Sequence, residues 1–290
     1  MSKVAILTDS NSGITQAQAK ELGVFVEPMP FYIDGQLYYE DIDLTQEQFY
    51  EKLTQGGEIK TSMPITGNLM DTWDKILKDY DELVYIPMSS GLSSSCATAK
   101  MLADDYDGKV VVVDNQRISV TQKLSALEAK KLADMGKSAQ EICDELMAIK
   151  LQSRIYITVD TLEYLKKGGR LTPAVAAIGS LLKIKPVLSI YGEKLDKYSM
   201  ARTVKAAKST MIDALQKDIK EYLDVDSMDQ VMISIAHTQN LEAAEKFKEE
   251  LLEVFPGKDI WIDPLSLSVS CHIGPGALAC TVTKKLVELD

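Results

Sequence analysis

Apolar positions along this chain alternate between short unbroken runs and stretches with helical spacing. Residues 4–7, 83–86 (LVYI), 109–114 (KVVVVD), 154–159, 230–236 and 260–265 are rich in β-favouring side chains and have the length of buried strands. Helices are expected ahead of Gly23, from Thr45 to Gly56-Gly57, and over 67–78, 97–102, 119–135, 138–150, 203–222 and 241–254. Thr45/Gln48 and Ser138/Glu141 match capping boxes. Residues 24–33 read as one strand closed by Asp34-Gly35, and 60–64 (KTSMP) as an extended pre-proline segment whose Thr61 and Ser62 are loop hydroxyls. Residues 186–191, Gly192-Glu193 and 195–200 suggest a hairpin. After His272-Ile273-Gly274-Pro275-Gly276 the pattern fits strand and helix equally.

Strand–helix alternation over the first 150 residues predicts a parallel sheet covered on both faces. The reading is therefore an α/β protein of two α/β domains. Residues 1–152 form a Rossmann-like, parallel-sheet domain carrying the ligand site. Residues 153–290 form a mixed-sheet domain with a basic partner surface.

Residues 83–106 concentrate the chemistry. A strand-like run and a helix flank Ser89, Ser90, Gly91, Ser93, Ser94 and Ser95. A helix start leaves about four N–H groups without partners and carries partial positive charge, so hydroxyls gathered there suit an oxyanion. Capping alone explains an ordinary serine-rich turn, but five serines exceed what capping needs. Asp9 and Ser10 follow the first strand, where ligands bind in parallel sheets; for Asp9, capping is an equally good account. Gly91-Leu92-Ser93-Ser94-Ser95 nearly matches the nucleophile elbow GxSxG, so a serine hydrolase using Ser93 is the alternative, with His237 or His272 as its base. A carrier or sensor of another small anion is a third reading.

Charge narrows the partners. The net charge of −11 argues against nucleic acid. Yet residues 164–210 hold ten basic side chains against two acidic ones, a net +8 that leaves −19 for the rest. A basic cluster in an acidic protein points to an anionic partner surface or ligand. Within it, Lys167-Gly168-Gly169-Arg170-Leu171-Thr172-Pro173 reads as a helix ending on glycine and another starting at Thr172, with Arg170 on the turn and projecting outward. No apolar run reaches the roughly 18 residues of a membrane span, and no signal peptide is visible. The four scattered cysteines read as reduced thiols, giving a cytoplasmic expectation. Two isolated histidines give no metal-ligand spacing, and no P-loop occurs, so neither metal nor cofactor is expected. Gly274-Pro275-Gly276-Ala277-Leu278-Ala279 formally matches GxGxxA but lies too near the C-terminus for a βαβ unit.

TDSNSGI near the start, KTSMP at 60–64 and the serine turn around Leu92-Ser93 resemble the DegV family of bacterial fatty-acid-binding proteins. So do DTLEYLKKGGRLT at 160–172, LKIKPVL at 182–188, ARTVKAA at 201–207 and HIGPGAL at 272–278. The resemblance spans the chain in order. It implies a lipid tunnel between two α/β domains and a FakB-type acyl carrier. Such a carrier holds a long-chain fatty acid and presents its carboxylate to a separate fatty acid kinase, which makes an acyl phosphate from ATP for phospholipid metabolism. On matching positions, Thr61 and Ser93 would bind the carboxylate with help from the Ser94 amide, and His272 would sit nearby. Ser62, Asp9 and Ser10 would support the site, and Arg170 would dock the kinase. The chain departs from the family at one place, having Ser93-Ser94-Ser95 where Ser-Gly-Thr is usual.

Overall fold

The first strand, β1 (Val4–Asp9), divides its side chains between two apolar clusters, Val4 and Ile6 entering one and Ala5 and Leu7 the other. After it come α1 (Gln16–Leu22), β2 (Phe25–Glu27), β3 (Pro30–Ile33), β4 (Gln36–Tyr39), α2 (Gln46–Thr54), β5 (Ile59–Thr61) and α3 (Thr66–Ile76). Next follow β6 (Glu82–Ile86), α4 (Ser95–Ala103), β7 (Val110–Val112), α5 (Val120–Asp134) and α6 (Ala139–Ala148). In β6 the alternation repeats: Val84 and Ile86 meet Ala126, Ala129, Leu132, Ile142 and Leu146 of α5 and α6. Leu83 and Tyr85 meet Leu69, Trp73 and Ile76 of α3 and Ala99 of α4. Period-two side chains on a central strand thus bury both sheet faces, as an all-parallel sheet requires.

This computed structural model describes residues 2–178 and 184–289. They fall into two units, Met1–Lys150 with Ser266–Ser268 and Leu286–Asp290, and Leu151–Leu265 with Val269–Lys285. In the first unit the four-stranded sheet has order β2-β1-β6-β7, all parallel. A three-stranded antiparallel sheet, β4-β3-β5, belongs to the same unit.

That second sheet corrects one expectation. Residues 24–33 are two strands in different sheets, because Pro28 and Pro30 each lack the N–H that a continuing ladder needs. Asp34 (φ 52°) and Gly35 (φ 81°) turn the chain into β4, a strand the apolar pattern does not reveal. Thr61, expected in a loop, is the last residue of β5 and pairs with Phe31. Both capping boxes form with both arms.

The second unit contains β8 (Ser153–Thr158), α7 (Glu163–Gly168), α8 (Pro173–Ala176), β9 (Lys185–Ile190), β10 (Asp196–Ala201) and α9 (Val204–Glu221). The chain continues through β11 (Val231–His237), α10 (Leu241–Val254), β12 (Ile260–Pro264), α11 (Leu267–Ile273) and β13 (Leu278–Lys284). Its sheet, of order β10-β9-β8-β13-β11-β12, is antiparallel except for the β11–β12 pair. Val231, Ile233 and Ile235 of β11 and Leu278, Cys280 and Val282 of β13 face Ala207, Met211 and Leu215 of α9 and Phe247 and Leu251 of α10. The segment after Gly276 is a strand, which settles the open choice. Leu182 and Lys183, the first two residues of the 182–188 motif, lie outside the described residues.

Candidate ligand site at the strand ends

In the parallel sheet the chain leaves β1 toward β2 on one side and reaches β6 on the other, so the switch point lies between β1 and β6. Ligand crevices form beyond the carboxyl ends of strands at such points. There the structure ties a buried polar knot. Asp9 Oδ1 accepts the Asn11 amide at 3.0 Å, Asn11 Nδ2 at 2.9 Å and Gln122 Nε2 at 2.9 Å, while Oδ2 accepts the Met88 amide at 2.8 Å. Thr8 Oγ1 donates to the Ile86 carbonyl at 2.9 Å. Asp9 is fully buried, and desolvation pushes its pKa up against the lowering effect of these donors. Its carboxylate is spent inside the knot, where it fixes the start of the serine turn at Met88.

The turn itself is held by its own hydroxyls. Ser89 Oγ accepts the Gly91 amide at 3.1 Å, and the Ser89 amide donates to the Arg117 carbonyl at 2.9 Å. Ser93 Oγ accepts the Ser95 amide at 3.2 Å, relieving one orphan donor of α4. A hydroxyl that accepts in this way keeps its O–H proton for a further acceptor, so capping leaves Ser93 able to donate. Ser94 occupies the cap position without a side-chain capping bond; its Oγ donates toward Met63 Sδ at 3.9 Å, as Thr98 Oγ1 does at 3.5 Å. The segment that carries Thr61 and Ser62 therefore lies beside the serine turn. Ser95 Oγ is buried without a partner. Ser93 is not among the residues with positive φ, so the backbone strain of a nucleophile elbow is missing there.

Ser10 turns inward. Its Oγ donates to Glu40 Oε2 at 2.9 Å and accepts the Met29 amide at 3.1 Å. Glu40 Oε1 accepts the Leu267 amide at 2.5 Å. Asn11 Oδ1 accepts Ser268 Oγ at 2.6 Å. Ser10 and Asp9 thus brace the strand ends from within. Burial raises both Glu27, at the end of β2, and Glu40 to about 7.

In the second unit two of the sequence motifs interlock. A Cβ on Gly168 would lie 2.2 Å from His272 Nδ1, and one on Gly274 (φ 78°) would lie 2.3 Å from Tyr164. Only a residue without Cβ lets the imidazole rest on the last residue of α7. Arg170 does not project freely: it is half-buried, and its Nη1 donates back to the Gly168 carbonyl. Burial, with the Arg170 charge beside it, lowers His272 to about 4, so the imidazole is neutral at pH 7. His237 Nδ1 accepts the Asn240 amide at 3.2 Å, and burial lowers its pKa as well. Thr172 has the backbone of a cap, with Pro173 following, but its hydroxyl donates to Asp196 at 2.7 Å.

The chain as a whole is similar to known proteins. The family model described as an uncharacterised protein of the DegV family matches residues 3–285. The chain belongs to the DegV family. Protein DegV of Bacillus subtilis is 32% identical over 280 residues, 95% of this chain and 97% of that protein. Among the solved structures that share this fold are two DegV family proteins. The first, described as showing fatty acid binding of a DegV family protein from Thermus thermophilus, aligns with TM-score 0.88 at 25% identity, over 97% of this chain and 99% of the other. The second, a fatty acid binding DegV family protein from Streptococcus agalactiae, aligns with TM-score 0.87 at 27% identity, over 98% and 100%. Among the described residues no helix is long and apolar enough to cross a membrane, and no cluster could hold a metal ion.

Sequence reasoning misses Gln122, Asn11 and Glu40. Gln122 comes from α5, 113 residues after Asp9, and no local pattern marks its approach. Glu40 reads as one acid among several in EDID.

Proposed function

We propose that this chain binds a long-chain fatty acid and presents its carboxylate to a separate fatty acid kinase, without being a catalyst itself. The observation that carries the reading is the serine turn at the switch point, where Ser93 satisfies the start of α4 and keeps a proton to donate. The fatty-acid-binding relatives of the same fold support an acyl ligand. In this reading Thr61 and Ser93 donate to the carboxylate, the Ser94 amide assists and His272, being neutral, adds a hydrogen bond without neutralising the charge. Ser62 lies next to that pair, while Asp9 and Ser10 act from behind. Each buried CH2 adds about 0.8 kcal/mol, so the tail supplies the affinity and the hydroxyls the orientation.

A carboxylate held by hydroxyls and an amide remains nucleophilic. Its oxygen attacks the γ-phosphorus of ATP in the kinase, the bond to the leaving ADP breaks, and an acyl phosphate is formed for phospholipid metabolism. Arg170 and its basic neighbours form the surface that docks the kinase.

The test is native mass spectrometry of the purified protein followed by organic extraction. A fatty acid at near one-to-one occupancy is expected. An empty protein that also takes up no added fatty acid would overturn the reading.

A further inference from the structure

The serine turn closes on itself and is held by the loop that leaves the neighbouring strand. The Ser89 carbonyl accepts the Leu92 amide at 3.0 Å and the Ser93 amide at 3.1 Å, so the placing of Ser93 follows that of Ser89. Two ties reach the turn from the chain after β7, the strand paired with β6. The Ser89 amide donates to the Arg117 carbonyl at 2.9 Å, and the Ser90 amide to Asp114 Oδ1 at 3.3 Å. The Asp114 carboxyl also accepts the thiol of Cys96, in the first turn of α4, and its Oδ2 lies 4.0 Å from Lys100 Nζ. One side chain thus bridges the residues that stand three before and three after Ser93. Lys100 adds little, since a half-exposed lysine at that distance is screened by water.

Asp114 has little freedom of its own. Val113 before it is fully buried, and its amide donates to the Tyr85 carbonyl at 2.8 Å. After it, Asn115 Nδ2 and Arg117 Nη1 converge on Ser125 Oγ at 2.8 and 3.1 Å, and Arg117 Nη2 donates to the Ile149 carbonyl at 3.2 Å. Both side chains are buried. The same loop holds Gln116 and Ser119 at φ 57° and 56°, a backbone that side chains rarely adopt and that persists only where the surroundings over-determine it. Strain of this kind, beside a candidate site, marks a place where backbone position matters.

We propose that Asp114 is a positioning residue of the ligand site: by tying the Ser90 amide to the first turn of α4 it sets the direction in which the Ser93 hydroxyl donates. The inference rests on the fatty-acid reading for the ligand that Ser93 meets, and on the hydrogen bonds for the turn itself. Without the carboxyl group the Ser90 amide turns to water and the turn loses its side-chain tie to the β7 loop. Ser93 then samples several directions, and a ligand that needs one of them binds less well.

The experiment is a double-mutant cycle in the full chain. Affinity for a fluorescent fatty acid is measured in the wild type, Asp114→Ala, Asp114→Asn, Ser93→Ala, and Ser93→Ala combined with Asp114→Ala. Hydrogen exchange at the Ser93 amide is followed in the wild type and the Asp114 variants without ligand. Asp114→Ala should weaken binding about 5- to 10-fold in the wild type but no more than about two-fold in Ser93→Ala, because the cycle isolates what passes through Ser93. Asp114→Asn keeps an oxygen for the Ser90 amide and should hold affinity within about three-fold of the wild type. Exchange at Ser93 should quicken at least about five-fold in Asp114→Ala and stay unchanged at Leu7, in the middle of β1. A residue needed only for stability would lower affinity equally in both backgrounds, and that result overturns the proposal, as does affinity unchanged or tightened in Asp114→Ala. If Asp114→Ala does not fold, Asp114→Glu, whose carboxylate reaches one bond too far, enters the same cycle with the same deciding outcomes. A Ser93 amide that responds as expected in a protein that takes up no fatty acid leaves the tie standing and overturns the function proposed above. Fatty-acid binding with additive losses overturns the tie and leaves that function in place.

Discussion

Replacing Gly168 by alanine separates the site from the fold. Gly168 ends α7 with ordinary helical backbone, so alanine costs no backbone strain there and gains up to about 1 kcal/mol of helix propensity. Its new Cβ, however, would lie 2.2 Å from His272 Nδ1, against the 3.4 Å at which ordinary contact begins. The imidazole must retreat by about 1.2 Å, enough to break a hydrogen bond whose useful range spans only about 0.5 Å. A hydrogen bond to a charged ligand contributes about 1.5–3 kcal/mol, so Gly168→Ala is expected to weaken fatty-acid binding about 10- to 100-fold. Overpacking offset by propensity should change unfolding free energy by no more than about 2 kcal/mol. Fluorescence titration with a fatty-acid probe reads the first quantity and a urea midpoint the second. Wild-type affinity together with an unmoved His272 ring resonance would refute the reasoning.

Three further outcomes are expected. Ser93→Ala removes the proposed donor to the carboxylate and one acceptor at the start of α4, so affinity should fall about 10-fold or more, by calorimetry; unchanged affinity counts against the site. Arg170→Ala should leave fatty-acid affinity within about two-fold and reduce acyl phosphate formation with the kinase at least 10-fold; equal coupling sinks the docking role. His272→Gln should flatten the acid side of the stability curve. The native pKa of about 4 lies below the ordinary 6.5, so His272 contributes stability that is complete above about 6.5 and is lost as pH falls through about 4. The contribution is at most about 3 kcal/mol, and denaturation midpoints at pH 4.5 and 7 in both proteins would measure it.

Elements that announce themselves locally were legible from sequence. The Thr45/Gln48 and Ser138/Glu141 boxes, the helix over Leu241–Val254 and the hairpin around Gly192-Glu193 each depend on residues a few positions apart. The serine turn was legible as a place, since strand, glycine and hydroxyls lie in one stretch. Its support was not: Asp9 Oδ2 meets the Met88 amide across 79 residues, and Gln122 reaches Asp9 across 113. Arg170 was found as a turn residue, and its return onto Gly168 spans only two residues, but the imidazole resting on Gly168 comes from a helix more than a hundred residues away. The prolines that split 24–33 are in plain view, but an apolar run broken only by Glu27 hides the missing N–H groups.

The first unit is finished by residues made last. Glu40 receives the Leu267 amide and Glu128 Oε1 the Leu286 amide, at 2.6 Å in the second case. On the ribosome, residues 1–150 are complete long before either partner exists, and at 5–20 residues per second the wait for Leu286 is roughly 7–27 s. Through that interval both carboxyl groups stay hydrated and the α5 surface that Leu286 and Val287 later cover stays open. A nascent chain stalled before residue 266 should therefore present an N-terminal half that binds chaperones and is cut by proteases, although its parallel sheet is already paired.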